Sequence, residues 1–148
     1  MVPEQIEREV MVAAPIERVW DVITQPEHVG SWFGDAGAEI DLRDGGAMTI
    51  TWAKHGTVHA RVERVEAPRV FAYRWACGAG KPVADDNSTL VEFTLSSEGA
   101  QTRLRVVESG FRALALSPEE QAKHAEGNTR GWKSELDELV AYMAGVPA

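Results

Sequence analysis

The sequence is poor in cysteine, and this limits the kinds of site that it can build. Cys77 is the single cysteine among 148 residues. One thiol cannot form an internal disulfide or a metal site made of several cysteines. A free thiol suits a reducing compartment, and the polar, acidic start of the sequence does not resemble a signal peptide. We therefore expect a cytoplasmic protein.

The chain also lacks a long apolar run and an excess of positive charge. No apolar stretch in the sequence approaches the ~20 residues that a membrane-spanning helix needs. Lys and Arg number 15 against 23 Asp and Glu, which gives a formal net charge of −8. Such a chain repels phosphate backbones and anionic lipid. We expect neither a nucleic acid nor a membrane surface as its partner.

Motifs of the common catalytic and cofactor sites are missing as well. The sequence has no nucleophile elbow, phosphate loop, dinucleotide fingerprint or metalloprotease helix. His55 and His59 lie four residues apart but fall across a turn and a strand, whereas a zinc pair at this spacing needs a helix. Asp85-Asp86-Asn87 lacks the ligand alternation of a calcium loop and predicts a turn. We expect no metal, no obligatory cofactor and no assignable catalytic residue.

The sequence does contain a clear change of hydrophobic period. The alternating segment 5–13 predicts a strand. Pro15 and Pro26 mark the start and the end of a helix after it, because proline suits the first helical turn and forces the residue before it out of helical geometry. A second short helix is predicted over residues 27–33. The chain thus begins with one strand and two short helices.

About six strands follow from residue 38, joined by hairpin turns such as Asp44-Gly45-Gly46. Ser117 and Pro118 then predict the start of a long C-terminal helix, in which Gly127 and Gly131 indicate a bend or the close approach of another element. Hairpin-linked strands form an antiparallel sheet, and only the long helix can cover its apolar face. We expect one α+β domain over residues 1–148. Its curved antiparallel sheet of six to seven strands would wrap around the C-terminal helix.

Several short motifs occur in a fixed order along the chain. They are Ala14-Pro15 before Val19-Trp20, Trp32-Phe33-Gly34, Asp41-Leu42-Arg43, Gly45-Gly46, Ala67-Pro68-Arg69, Tyr73-Arg74-Trp75, Thr102-Arg103-Leu104, Glu108-Ser109-Gly110-Phe111 and Gly131-Trp132. This order resembles the helix-grip superfamily of START-domain and birch-pollen-allergen-like proteins (SRPBCC). Within it, nearly the whole chain resembles the Aha-type family, named after the C-terminal domain of the heat-shock ATPase activator. The resemblance implies the helix-grip fold. It also implies a choice among ligand-binding, stress-related, polyketide-cyclase and co-chaperone functions, with no universal catalytic residue.

Aromatic side chains dominate the sheet face that the long helix should cover. Alternation along the strands points them inward, and one further ring faces them from the helix. Such rings can pack as an ordinary core, or they can line an apolar pocket with few polar groups. We predict a ligand cavity and expect a bulky residue at position 60 to fill it. The predicted lining residues of this face are Trp52, Ala60, Tyr73, Trp75, Phe93 and Trp132.

Two polar residues, Glu108 and Asn128, complete the predicted ligand-binding set, and a third, His124, lies next to it. Counting by two along its strand places Glu108 on the inner face, unless the strand ends there and the carboxylate reaches water. If buried, it would orient a polar ligand group or act as a general base, since a buried carboxylate needs partners. Asn128 and His124 either line the cavity mouth or stay solvated. The other charged residues of the helix are predicted on its solvated outer face: Glu119, Glu120, Lys123, Glu126, Arg130, Lys133, Glu135, Asp137 and Glu138.

Three functions remain open from the sequence. The leading prediction is a non-catalytic module that binds a small hydrophobic, amphipathic or aromatic molecule. The first alternative is a polyketide cyclase or aromatase-like enzyme, in which the cavity folds the substrate and Glu108 with Tyr73 handles protons. The second is a co-chaperone-like role with a heat-shock protein partner, which the resemblance implies. Pairing of the chain with itself as a homodimer also stays open.

Overall fold

The structure, a computed structural model, describes residues 2–145. Strand β1 (Gln5–Val12) is followed by two short helices, α1 (Ile16–Thr24) and α2 (Pro26–Trp32). A single turn of 3-10 helix (Phe111–Ala113) precedes the long helix α3 (Pro118–Gly145). Between α2 and that turn lie six strands: β2 (Ala38–Ile40), β3 (Ala47–Trp52), β4 (Gly56–Glu66), β5 (Val70–Ala76), β6 (Ser88–Glu98) and β7 (Gln101–Ser109).

The strands form one seven-stranded sheet in the order β1-β7-β6-β5-β4-β3-β2. Every neighbouring pair is antiparallel. Strands β2 to β7 are neighbours in the sheet in the order in which they follow one another along the chain, and β1 pairs with β7. The two edge strands of the sheet are therefore β1 and β2. The predicted α+β helix-grip fold, with two short helices after the first strand and a long C-terminal helix, is confirmed.

The predicted helix ends are set by local chemistry. Gln25 is extended, with φ −88° and ψ 129°, and ends α1 directly before Pro26, which opens α2. At the start of α3, the backbone N–H of Glu120 donates to Ser117 Oγ at 3.1 Å. The N–H of Ser117 donates back to the Glu120 carboxylate at 3.4 Å. This reciprocal pair is a capping box, so the predicted start of the long helix is confirmed.

The hairpin between β2 and β3 also forms where the glycines predict it. Gly45 adopts φ +82°, a conformation that residues with a Cβ rarely adopt. Any Cβ on Gly46 would lie 2.0 Å from the carbonyl oxygen of Asp41. The backbone N–H of Val62 donates to the Gly46 carbonyl at 2.8 Å, which ties this turn to β4. The turn therefore fixes the edge of the sheet that carries β3.

The core lies between the inner face of the sheet and the three helices. It contains fully buried side chains from each layer, such as Ile23 of α1, Phe71 of β5 and Leu136 of α3. The outer face carries ion pairs between Arg and Glu of neighbouring strands, including Arg103 with Glu9. The side chains of this pair are 41% and 42% exposed, and surface ion pairs contribute only ~0–1 kcal/mol each. The stability of the fold therefore comes from its inner face.

Helix α3 runs unbroken for 28 residues and contains two internal glycines. A Cβ added at Gly127 or at Gly131 would meet no atom within 4 Å. The predicted close approach of another element is therefore wrong at both positions. Gly131 instead borders empty space between α3 and the sheet. Across residues 2–145, α3 included, no helix combines the length and the apolar character needed to cross a membrane.

Candidate ligand-binding site

A cavity of about 460 Å³ lies between α3 and one end of the sheet. This volume falls in the range of small-molecule sites, roughly 300–1,000 Å³. Four parts of the chain enclose it: the residue after α2, the β3–β4 hairpin, the end of β5, and the middle of α3. The lining residues are Phe33, Trp52, His55, Val58, Trp75, Ala76, Cys77, Gly78, His124, Asn128, Gly131, Trp132, Ser134 and Glu135.

The α3 side of the cavity follows the helical repeat. His124, Asn128, Gly131 and Glu135 recur at intervals of three or four, which places them on one stripe of the helix, and the other lining residues of α3 flank this stripe. The stripe runs from His124 to Glu135, and the eleven steps between them correspond to about 16 Å at ~1.5 Å per residue. Gly131 lies in the middle of this stripe and contributes no side chain. A Cβ at this position would meet no atom within 4 Å, so the space beside Gly131 is open.

Three aromatic rings form a wall of this cavity. The ring centroids of Phe33, Trp75 and Trp132 lie 5.4 to 5.7 Å from one another, and their planes are within 19° to 26° of parallel. Trp52 meets Phe33 edge-on, with a centroid distance of 5.2 Å and an angle of 83°. These are the offset and edge-to-face geometries that aromatic pairs prefer. The side chains therefore stabilise one another where they border the cavity.

Glu108 lies behind this wall and is fully buried. Its carboxylate accepts hydrogen bonds from the indole N–H groups of Trp75, at 3.0 Å, and Trp132, at 2.9 Å. Thr89 Oγ1 donates to it at 2.5 Å, and Asn128 Nδ2 lies 3.0 Å from both carboxylate oxygens. Of the two positions that the sequence left open for Glu108, the buried one is correct.

These contacts give Glu108 a positioning role. Four uncharged donors from β5, β6 and α3 converge on one carboxylate, and hydrogen bonds to an ionised group are the strong ones. Both Trp75 and Trp132 are held by their N–H groups, so neither indole can rotate without leaving a buried donor or acceptor unpaired. Glu108 is absent from the cavity lining. It therefore fixes the aromatic wall from behind.

One end of the cavity carries a thiol–imidazole contact. Cys77 Sγ lies 2.9 Å from His124 Nε2, and Asn128 Nδ2 lies 3.4 Å from the same nitrogen. Burial, helped by the charge of Glu108, raises the pKa of the Cys77 thiol to about 11. Burial lowers the pKa of His124, although the charge of Glu108 acts in the other direction. Both groups are therefore neutral near pH 7, and this end of the cavity is polar but uncharged.

The other end carries Glu135. Its Oε2 atom is buried and has no hydrogen-bond partner among residues 2–145. Burial, then the nearby charges of Glu138 and Asp35, raises the pKa of Glu135 to about 8. The sequence placed Glu135 on the solvated outer face of α3, and this prediction is wrong. Glu135 lies three residues after Trp132, which turns it toward the cavity.

The eight predicted ligand-binding residues separate into three groups. Trp52, Trp75, Asn128 and Trp132 line the cavity. Glu108 lies behind the wall. Ala60, Tyr73 and Phe93 are buried in the core, at 6%, 1% and 2% exposure. Ala60 lies between Met48 of β3 and Trp75 of β5, so a bulky side chain there would press on the core.

Sequence reasoning missed Phe33, Cys77, His55 and Glu135 as lining residues. The first three lie at or beyond the end of a helix or strand, where no hydrophobic period extends to them. Glu135 did leave a signal, because it follows His124 and Asn128 by eleven and seven residues. Both spacings bring it close to the same stripe of a helix with 3.6 residues per turn.

Comparison with known proteins agrees with this fold. The family model described as "Activator of Hsp90 ATPase homolog 1-like protein" matches residues 13–144. Protein MLL2253 from Mesorhizobium loti is 21% identical with a TM-score of 0.80, and the match covers 97% of this chain and 99% of that one. A search of curated proteins finds no match.

Two further solved structures resemble this chain. CalU16 from Micromonospora echinospora is 26% identical with a TM-score of 0.68, and the match covers 95% of this chain and 76% of that one. DynU16, a protein of the dynemicin biosynthetic locus, is 22% identical with a TM-score of 0.76. That match covers 97% of this chain but only 48% of DynU16, so this chain spans about half of its length. The resemblance seen in the motifs is thereby confirmed: the chain belongs to the Activator of Hsp90 ATPase homolog 1-like family, within the SRPBCC type of fold.

Proposed function

We propose that this protein binds a small hydrophobic or amphipathic molecule with an aromatic part in the cavity between α3 and the sheet. The observation that carries the proposal is the wall of Phe33, Trp75 and Trp132, whose near-parallel rings border a space of about 460 Å³. A flat apolar ligand placed against this wall would bury apolar area. It would also gain the stacking that aromatic pairs contribute, about 0.5–1.5 kcal/mol for each pair.

The rigidity of the wall supports binding as well. Glu108 holds both indoles through their N–H groups before any ligand arrives. Association then costs less side-chain entropy, because the contact surface is already ordered. The sheet and α3 carry these residues, and such regular elements position a site better than loops do.

The enzyme alternative assigned proton transfer to Glu108 and Tyr73. The Glu108 oxygens already accept hydrogen bonds from four side chains. Tyr73 is 1% exposed, and burial raises the pKa of its hydroxyl well above the usual value. Neither residue lines the cavity, so the geometry favours binding over acid–base catalysis by this pair. One structural neighbour, DynU16, comes from a biosynthetic locus, which adds biosynthetic intermediates to the ligand classes to be tested.

The two glycines of α3 offer a matched test. Leucine in place of Gly131 would project into the cavity, whereas leucine in place of Gly127 would lie on an exposed position of the same helix. Both changes replace glycine with a better helix former, which is worth somewhat under ~1 kcal/mol. They therefore have similar effects on stability and different effects on the cavity.

The probe is N-phenyl-1-naphthylamine, a neutral aromatic compound whose fluorescence rises in apolar surroundings. We expect saturable binding by the unmodified protein and by Gly127→Leu, and at least tenfold weaker binding by Gly131→Leu. Thermal unfolding of all three proteins checks that each is folded. Equal binding by all three, or no saturable binding by the unmodified protein, would contradict the proposal.

Other features predicted from the sequence remain predictions. They are a heat-shock protein partner, pairing as a homodimer, a role in stress response and a cytoplasmic location.

A further inference from the structure

Glu135 is a cavity-lining carboxyl group whose buried Oε2 atom has no hydrogen-bond partner in the described part of the chain, residues 2–145. A buried polar atom without a partner is costly, so it is rare in folded proteins and needs a reason. Glu138, one turn further along α3, and Asp35, after α2, add like charge to its surroundings. Asp35 itself is partnered, since its Oδ1 accepts the N–H of Ala53 at 2.7 Å. Of the two carboxylates, Glu135 is therefore the one with an unpaired oxygen among the described residues.

The other titratable groups around the cavity do not supply a positive charge to Glu135. His55 belongs to the β3–β4 hairpin, while Cys77 and His124 form the contact at the opposite end. Glu108 of β7 is acidic and already has four donors. The residues that line the cavity within the described part of the chain include no Lys or Arg. No cationic side chain of this lining is therefore available to pair with the ionised form of Glu135.

The aromatic rings of the same cavity favour a cation of a particular chemistry. Trp52 and Phe33 lie at the end of the cavity near Asp35, since Ala53, next to Trp52, donates to that carboxylate. Faces of Trp and Phe attract ammonium groups, and a carboxylate forms strong hydrogen bonds with a protonated amine. A hydrated metal ion would gain little from these rings. An organic ammonium group gains from both the rings and the carboxylate.

We propose that Glu135 is the anchor for a protonated amine on the ligand, whose aromatic part lies against the wall of Phe33, Trp75 and Trp132. The proposal rests on the proposed function and specifies its ligand class as an aromatic amine with a basic nitrogen.

This proposal carries a definite pH dependence. With its pKa raised to about 8, Glu135 is protonated in most molecules at pH 6 and ionised in most at pH 9. An alkylamine stays protonated throughout this range, as the lysine side chain does with a pKa of ~10.4. Binding of the amine should therefore tighten as the pH rises. If only the ionised form binds, the population ratio sets the gain at up to about ninetyfold between pH 6 and pH 9.

The experiment compares 2-(1-naphthyl)ethylamine with 2-(1-naphthyl)ethanol, two probes with the same ring system. Calorimetry or tryptophan fluorescence gives the affinity of each probe at pH 6 and at pH 9. We expect the amine to bind tens of times more tightly at pH 9 than at pH 6. The alcohol should not tighten over the same range, because a protonated Glu135 serves as its donor at low pH.

Two glutamine variants of α3 complete the test. Glu135→Gln removes the charge at the cavity, so the preference for the amine and its pH dependence should both disappear while alcohol binding persists. Glu138→Gln removes the same charge one turn away, at an exposed position. It should keep the amine preference, with the pH profile displaced to slightly lower pH because one like charge is gone.

The outcomes separate the two proposals. If both probes bind with equal affinity, or if Glu135→Gln leaves the amine preference intact, the inference about Glu135 is overturned while ligand binding in the cavity stands. If neither probe nor the neutral N-phenyl-1-naphthylamine binds, the proposed function falls and the inference falls with it.

Discussion

Two carboxylates lie near the same aromatic wall, and they differ in how completely they are hydrogen-bonded. Glu108 is fully enclosed and accepts hydrogen bonds from four side chains. Glu135 is only partly buried, yet one of its oxygens has no partner among the described residues. The depth of burial therefore does not identify the functional group. A buried carboxylate with all its partners belongs to the architecture, whereas an incomplete one is available to a ligand.

The difference arises from where each residue lies in the fold. Glu108 is near the end of β7, where Thr89 of β6 and Trp75 of β5 reach it across the sheet while α3 covers it. Glu135 faces the space that Gly131 leaves between α3 and the sheet. The charges that help to raise its pKa, on Glu138 and Asp35, are both acidic. Side chains of neighbouring strands and of α3 thus satisfy the carboxylate of Glu108, whereas the carboxylate of Glu135 faces the cavity and keeps an unpaired oxygen.

The largest effect is expected from Glu108→Gln, which removes the carboxylate that has all its hydrogen-bond partners. The glutamine amide places N–H donors where the indoles and Asn128 already donate, so buried donors lose their acceptor. We expect the free energy of unfolding to fall by about 2–4 kcal/mol, since bonds to charged groups are worth more than neutral ones and unpaired buried groups add a penalty. Urea denaturation measures this change.

Glu39→Gln is the matched control for that substitution. Glu39 is an exposed residue of strand β2, and replacements at such positions stay within ~0.5 kcal/mol. A loss of stability no larger for Glu108→Gln than for Glu39→Gln would show that the buried network contributes nothing specific.

The next largest effect concerns Glu135, the carboxylate with an unpaired oxygen, and its effect on stability depends on pH. The pKa of Glu135 is raised to about 8 in the folded protein, from a usual value near 4.5. The folded state then holds a proton that the unfolded state releases, so this group's contribution to stability is full below about pH 4.5 and is lost as the pH rises through 8. Glu135→Gln should therefore raise the melting temperature relative to the unmodified protein more at pH 9 than at pH 5. An advantage that is the same at both pH values would contradict the raised pKa.

The smallest effect is expected at Tyr73, whose buried hydroxyl also lacks a partner among residues 2–145. Tyr73→Phe removes an unsatisfied polar group and keeps the ring that packs on Phe71 and Phe93. We expect a gain of up to ~1 kcal/mol in the free energy of unfolding and unchanged binding of the naphthalene probes. A loss of stability or of binding would mean that the hydroxyl has a partner or faces the ligand.

The sequence predicted those parts of the molecule that repeat with a regular period. Alternation along β5 and β7 located Trp75 and the inward-facing Glu108, and the 3.6-residue repeat located Trp132. It could not separate the cavity from the core, because Phe93 and Trp75 share the same alternation while only Trp75 borders empty space. Whether an inward residue meets a neighbour or a void depends on how far the helix stands from the sheet. That distance depends on packing across the whole fold, which the alternation of a single strand does not contain.

The charged residues of α3 show a similar limit of prediction from the sequence. Acidic residues on a long helix are usually solvated, and this expectation hid Glu135 among nine charged residues of α3. Its place in the stripe with His124, Asn128 and Trp132 distinguishes it from Glu126 and Glu138. A polar residue that continues an inward stripe deserves separate consideration even when its neighbours in the sequence are charged.

The most direct test of this account is the titration of Glu135 by carbon NMR of its side-chain carboxyl, assigned by comparison with Glu135→Gln. The account predicts a pKa of about 8 in the free protein, and a clear fall when 2-(1-naphthyl)ethylamine saturates the cavity, because the ammonium stabilises the carboxylate. An ordinary pKa near ~4.3 in the free protein, or a raised pKa that the bound amine leaves in place, would contradict it.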